Sequence, residues 1–190
     1  MARLARCVVP GSTHYIAQRA APGRTVFSAP DDSRYYLRLL RKCADNAGLN
    51  IRAWCLMPDQ VRLVAVPESR DSLRAAVAET NRRYARRIND REKRSDHLWY
   101  GRFYSFPMDD AYTYEAVREV ELAPIHTGLC EDPANWRWSS AHARLRNRVD
   151  PLIADDDLPA EYGDWRTYLD SAAHQGVAAR AALHRHMRTG

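Results

Sequence analysis

Apolar residues recur at every second position in several short segments of the chain, a pattern typical of β-strands. Residues 50–57 and 61–66 alternate in this way, and a Pro-Asp break at 58–59 lies between them. Because so few residues separate the two segments, they are predicted to be neighbouring strands of a hairpin. Two further strands are predicted at residues 13–18 and 103–108.

Between the strands the apolar spacing changes to three and four residues, which predicts amphipathic helices. The first helix, residues 31–47, begins at acidic and serine capping residues and ends before Gly48. A second helix is predicted over residues 69–89, and a third over residues 111–122 that Pro124 ends. The order strand–helix–strand–strand–helix–strand–helix indicates an α+β fold, an antiparallel sheet with helices packed on one face.

The pattern weakens in the last quarter of the chain. We predict one domain over residues 1–148 and, over residues 149–190, an acidic loop followed by a C-terminal helical extension. Between positions 150 and 170 there are seven acidic residues and one arginine, and the last twenty residues regain helical character.

Composition excludes several classes of protein. The chain has 190 residues, 45% of them apolar, which is enough to build a core. No segment approaches the ~20 consecutive apolar residues of a membrane-spanning helix, and the start has no long apolar stretch, so we expect neither a membrane protein nor a secretory signal. Four cysteines lie far apart with no C-x-x-C pair, which indicates reduced thiols in the cytoplasm.

Positive charge is concentrated in the middle of the chain. Residues 82–102 hold eight basic and three acidic residues, an excess of five that equals the net charge of the whole chain, +5. Aromatic residues are interleaved with the basic ones. Such a segment favours a polyanion as partner, most simply a nucleic acid. A solvated helix face followed by a core-bound aromatic cluster would have the same composition, so charge alone does not decide between the two.

Several short motifs, in the same order and at close to the same spacing, resemble the REP-associated tyrosine transposases. They read PGSTHYIAQR at 10–19, AWCLMPDQVRLV at 53–64, HLWYGRFYS at 97–105 and LAPIHTGLCEDPANWRWSS at 122–140. The resemblance covers nearly the whole chain. It implies a ferredoxin-like sheet and, as partner, a DNA hairpin with flanking single strand that the family cuts and rejoins through a phosphotyrosine.

The resemblance also implies a catalytic site with demanding chemistry. In the family, two histidines separated by one apolar residue lie on a strand, so that both point to the same side and hold Mg²⁺ or Mn²⁺. A helix tyrosine attacks the phosphate. In this chain the two histidine positions are Gln60 and Arg62, and the tyrosine position is Glu119. Arginine has no lone pair to offer a metal and is always cationic.

We therefore expect no catalytic residue, no metal site and no cofactor, with Gln60, Arg62 and Glu119 as vestigial positions. Arg62 is predicted to occupy the place of the lost cation, where it binds a phosphate of the DNA. Glu119 is predicted to pair with Arg62 across the former site. His126 and the histidines that follow it have no metal-ligand spacing and are expected at the surface.

Binding to nucleic acid is expected to survive the loss of cleavage. Four arginines in the second predicted helix have i, i+3, i+4 spacing, which lets a row of guanidinium groups follow a phosphate backbone. From the resemblance we also expect DNA contacts in the first turn, in the strand that carries Arg62, and in the aromatic motif at residues 97–105. The predicted DNA contacts are Arg19, Arg24, Arg62, Arg82, Arg83, Arg86, Arg87 and Arg102.

The expected partner is structured single-stranded DNA, with RNA and the oligomeric state left open, and the expected location is the bacterial cytoplasm at the nucleoid. Two alternatives remain. The first is an active transposase in which Tyr112 is the nucleophile and Asp59 and Glu119 bind the metal. The second is a module whose former DNA groove now holds a peptide or another protein.

Overall fold

A computed structural model describes residues 7–153, residue 158 and residues 164–171. Within these residues, four strands form one antiparallel sheet in the order β2-β3-β1-β4. The order and the chain connections are those of a ferredoxin-like sheet. The strands are β1 (His14–Arg19), β2 (Leu49–Met57), β3 (Gln60–Pro67) and β4 (Tyr104–Pro107).

Two long helices connect the strands, and shorter ones follow the sheet. A π-helical turn at Arg74–Ala78 leads into the second helix, and a 3₁₀ turn lies at Pro133–Asn135. The α-helices are α1 (Pro30–Ala47), α2 (Glu79–Glu92), α3 (Asp110–Glu121), α4 (Ala123–His126), α5 (Ser140–Leu145) and α6 (Trp165–Asp170). Most of the predicted helical extension lies outside the described residues.

Local sequence sets both ends of α1. Pro30 occupies the first turn, where its missing N–H costs nothing, and the Asp32 carboxylate accepts the N–H groups of Ser28 and Ala29 at 3.2 Å each. At the other end Gly48 adopts φ 60°, and its N–H donates to Ala44. Glycine adopts this left-handed conformation without steric strain, so Gly48 ends the helix as predicted.

Helices cover both faces of the sheet. Ile16 of β1 points into a first core cluster with Tyr36 of α1 and Tyr84 of α2, whereas Tyr15 points into a second cluster with Val117 of α3. The predicted α+β fold with helices packed on a face is confirmed for α1 and α2. The later helices α3 and α6 add a layer on the opposite face, because the inner strands are apolar on both sides.

A buried chain of hydrogen bonds fixes α2 against α1 and the sheet. The Tyr36 hydroxyl donates to the Asn81 side-chain oxygen at 2.7 Å, and the Asn81 amide donates to Gln18 of β1 at 3.2 Å. Trp99 donates its ring N–H to the Asn81 carbonyl oxygen at 3.0 Å. The buried side chains of Tyr36, Asn81 and Trp99 thereby all have partners, which orients α2 with its arginines outward.

Glu121 joins the later helices to the second face of the sheet. This carboxylate is completely buried and accepts hydrogen bonds from Ser140 at 2.6 Å and from the ring N–H of Trp165 at 2.7 Å. Arg144 forms an ion pair with it. In the described part of the chain no helix is long and apolar enough to cross a membrane.

Acid is expected to weaken the fold through His14, which is buried at the start of β1. Its Nδ1 lies 2.8 Å from the Ser12 carbonyl oxygen and its Nε2 accepts the Val9 N–H at 3.3 Å, an arrangement that requires the neutral ring. Burial lowers the pKa of His14 from 6.5. Below that pH the unfolded chain binds a proton that the folded chain resists, so the free energy of unfolding falls.

The measurement is urea unfolding of the wild type and of His14→Gln from about pH 8 down to about pH 5. We expect the stability advantage of the wild type to be constant above pH 7 and to shrink as the pH falls below 6.5. An advantage that stays the same throughout this range would contradict the assignment.

Candidate functional site

The two strand positions that the resemblance identifies, Gln60 and Arg62, point to the same side of the sheet. Gln60 and Arg62 are alternate residues at the start of β3, on the face covered by α3. In the sheet register Arg62 lies between Ala17 of β1 and Cys55 of β2, in the middle of that face. Glu119 reaches the same place from the last turn of α3.

Arg62 and Glu119 form a buried ion pair. The Arg62 Nη1 donates to Glu119 Oε1 at 2.9 Å, and the Arg62 Nε donates to the Gln60 side-chain oxygen at 3.2 Å. Only 9% of the Arg62 side chain and 10% of the Glu119 side chain are exposed. The predicted pairing of these two residues is confirmed. The predicted phosphate contact of Arg62 loses its basis, because its charge is already neutralised inside the protein.

The surroundings of the pair are apolar enough to change other ionisations. Tyr15 is completely buried beside Arg62, and burial raises the pKa of its phenol to about 12. Burial also raises the pKa of the Cys55 thiol. Both groups are therefore neutral at physiological pH, and the ion pair holds the charges at the centre of this face.

These residues do not fit the divalent cation that the resemblance implies. The Gln60 oxygen already accepts an Arg62 N–H, and the guanidinium has no lone pair and repels a cation. The Glu119 carboxylate is neutralised by Arg62. Among the described residues no group of three or more His, Cys, Asp and Glu side chains is placed to hold a metal.

His126 is a neighbour of the pair that the sequence did not reveal. Its Nδ1 lies 3.6 Å from Glu119 Oε2. The residue is exposed, which confirms the predicted surface position, and it borders the ion pair from the outside. It follows Glu119 by seven residues, a spacing that places both on one side of a helix. The change from α3 to α4 at Leu122 hides that signal, because helical spacing is not expected to continue past Pro124.

The predicted arginine row lies on the other side of the sheet. Arg82, Arg83, Arg86 and Arg87 are exposed on α2. Glu79 accepts hydrogen bonds from Arg82 and Arg83, which lower the pKa of its carboxyl to about 2, and so offsets part of the charge. The row is intact as predicted, but the whole sheet separates it from Arg62 and Glu119.

The predicted DNA contact of Arg24 is wrong, because this side chain is buried in contacts within the protein. Its side chain is only 4% exposed, and it donates to Asp96 at 2.6 Å, to Glu92 at 3.0 Å and to Asn89 at 3.3 Å. Hydrogen bonds from Arg94 and Arg24 lower the pKa of Asp96. Arg24 thus ties the turn after β1 to the end of α2, and it does not face a ligand.

Arg19 and Arg102 are exposed near one end of the sheet. Arg19 lies opposite Gln60 in the register of β1 and β3, on the same face as the ion pair. Its carbonyl oxygen accepts the Tyr100 N–H at 2.9 Å, which holds the loop that carries Arg102 against the end of β1. Of the predicted contacts, the structure therefore places Arg19 beside the vestigial site and the α2 row far from it.

Residues 14–120 match the sequence profile of the family described as "Transposase IS200 like", more than half of the 190 residues. The chain belongs to the IS200-like transposase family. No curated protein sequence matches it. The family profile spans β1 to α3, so it includes Gln60, Arg62 and Glu119.

A solved structure shares the fold of this member of the IS200-like transposase family. A REP-associated tyrosine transposase bound to a REP hairpin superposes with a TM-score of 0.64 at 16% identity, covering 82% of this chain and 93% of the other. A transposase candidate from Deinococcus radiodurans R1 has 17% identity and a TM-score of 0.44, covering 67% and 95%. The first likeness confirms the predicted fold class.

Removing only one partner of the Arg62–Glu119 ion pair is expected to lower the free energy of unfolding strongly. In Glu119→Gln the buried Arg62 loses its counter-charge, and we expect a loss of about 3–5 kcal/mol in the free energy of unfolding. In Arg62→Met/Glu119→Leu, which removes both charges at similar volume, we expect a stability close to that of the wild type.

Urea unfolding of the three proteins at neutral pH gives these differences, and a matched exposed substitution, Arg74→Gln, serves as the control that should change little. Equal stabilities of Glu119→Gln and the wild type would show that the two side chains do not pair in solution.

Proposed function

We propose that this member of the IS200-like transposase family binds DNA hairpins with flanking single strand and does not cleave them. The observation that carries the proposal is the buried Arg62–Glu119 ion pair, which occupies the strand and helix positions where the resembling transposases have a metal ligand and the attacking tyrosine. The protein supplies its own cation there. The Arg62 guanidinium is already neutralised by Glu119, so it does not polarise a scissile phosphate as a metal ion would.

The alternative of an active transposase has weak support. Tyr112 is exposed at the start of α3, seven residues or about 10 Å along the helix from Glu119. Asp59 is exposed in the turn between β2 and β3, and Glu119 is already paired with Arg62. A nucleophile and two metal ligands therefore do not converge in the described part of the chain.

Binding to DNA is supported by charge and by family. The net charge is +5, and the solved relative of the same fold is bound to a REP hairpin. Exposed guanidinium groups supply the sequence-independent part of such binding through phosphate contacts. The proposed contacts are Arg19, Arg82, Arg83, Arg86, Arg87 and Arg102.

Binding without cleavage also indicates the biological role that we propose. A protein that binds DNA without cutting it acts by occupancy, so a regulatory role at hairpin-forming sequences is part of the proposal, with a location at the bacterial nucleoid. DNA is preferred to RNA because the family acts on DNA. A protein partner in place of DNA has no specific observation in its favour.

Fluorescence anisotropy with a labelled hairpin that carries a single-stranded arm tests the proposal. We expect equal affinities in EDTA and in Mg²⁺, weaker binding to plain duplex, a steep loss of affinity with salt, and an uncut hairpin afterwards. Arg82→Gln/Arg86→Gln should weaken binding by about tenfold and reduce the salt slope by about 1–2.

The matched control is Arg70→Gln/Arg148→Gln, which removes two exposed arginines that are not among the proposed contacts. It should change the affinity less than about twofold. Equal and negligible affinity for hairpin and duplex, or binding and cleavage that both require Mg²⁺, would remove the proposal.

A further inference from the structure

The outward face of α1 carries a second row of cations that the sequence analysis did not single out. Arg34, Arg38, Arg41 and Lys42 follow one another at spacings of four, three and one residue, so they lie on one side of the helix. Together with Pro151 they line a groove of about 590 Å³ whose apolar floor includes Leu37.

Only half of this charge is compensated. Arg34 pairs with Asp31, and Arg41 pairs with Asp45 at 2.9 Å and also donates to the Pro151 carbonyl oxygen at 3.3 Å. These contacts fix the two arginines at the rim. Arg38 and Lys42 are exposed and have no ion pair with the residues that the structure describes. The groove therefore presents two uncompensated cations, Arg38 and Lys42, beside two that are paired.

The α1 groove belongs to the same layer as the arginine row of α2. Both helices pack on the first core cluster, on the face of the sheet opposite Arg62. Arg87 of α2 lies over the Tyr35 ring, 4.2 Å from its centre, and Tyr35 is next to Arg34. The Arg91–Asp32 ion pair joins the two helices a turn away. The cations of α1 and those of α2 thus lie on neighbouring helices on the same side of the sheet.

The dimensions of the α1 row suit a phosphate backbone. From Arg34 to Lys42 the helix rises about 12 Å, over which one strand of duplex DNA presents three or four phosphates. A row of flexible cations contacts successive phosphates without reading bases. An acidic protein would need apolar anchors to bind well. Only two of the residues that line the groove, Leu37 and Pro151, are apolar, so a phosphate backbone fits the groove better.

We propose that the groove between α1 and Pro151 binds the phosphate backbone of DNA and extends the α2 surface, so that DNA lies across both helices. This inference rests on the proposed function. It assigns the main DNA-binding surface to the face of the sheet opposite the vestigial site. A segment held there is separated by the sheet from Arg62 and Glu119.

The test compares three double substitutions in the full chain, with the labelled hairpin and arm described above. Arg38→Gln/Lys42→Gln removes the two uncompensated cations of the groove, Arg82→Gln/Arg86→Gln removes two of α2, and Arg70→Gln/Arg148→Gln is the control outside the groove lining. Affinity is measured at several salt concentrations between about 50 and 200 mM. A fourth variant, Arg38→Lys/Lys42→Arg, keeps the charge and should bind like the wild type, and circular dichroism checks that each variant is folded.

We expect Arg38→Gln/Lys42→Gln to bind at least about fivefold more weakly than the control at about 100 mM salt, with a slope of log affinity against log salt that is lower by about 1–2. If this variant binds like the control while the α2 variant binds weakly, the groove is not a DNA site and the proposed function stands. If the wild type fails to bind the hairpin, both fail.

An acidic protein partner is the competing outcome. Labelled poly-glutamate should bind the wild type no better than it binds Arg38→Gln/Lys42→Gln. Tight binding of poly-glutamate that is lost in this variant, with hairpin binding unchanged, would overturn the DNA assignment.

Discussion

The buried ion pair between Arg62 and Glu119 is the central interaction of this protein. It joins the first residues of β3 to the last turn of α3, and both side chains are about nine-tenths buried. A single buried charge would be strongly destabilising, so each residue requires the other. The pair therefore holds α3 against the second face of the sheet, and it is also the observation behind our proposal that the protein's own cation takes the place of a metal ion.

The sheet divides the molecule into two functional sides. On one side the second core cluster surrounds the ion pair, with Tyr15 and Cys55 kept neutral by burial. On the other side α1 and α2 present exposed cations, and the buried chain from Tyr36 through Asn81 to Gln18 holds the helices in register with the sheet. Under the proposed function, a change of chemistry on one side of the sheet leaves the charges on the other side untouched, so DNA can be bound without being cleaved.

The sequence was informative where local pattern sets structure. Alternation predicted the strands, capping residues predicted the ends of α1, and the motif spacing brought Arg62 opposite Glu119. It misled for Arg24, because the partners Glu92 and Asp96 lie 68 and 72 residues away and no local pattern shows such a contact. The layer formed by α3 was missed for a related reason: Tyr15 and Ile16 are adjacent and both apolar, which indicates burial on both faces, but not which later helix covers the second one.

Titration with Mn²⁺, followed by electron paramagnetic resonance of the free ion, tests most directly whether the ion pair has replaced the metal. We predict that Gln60→Ala and the wild type leave the same amount of Mn²⁺ free, because a guanidinium stands where the cation would bind. One Mn²⁺ bound per wild-type chain and released by Gln60→Ala would contradict it.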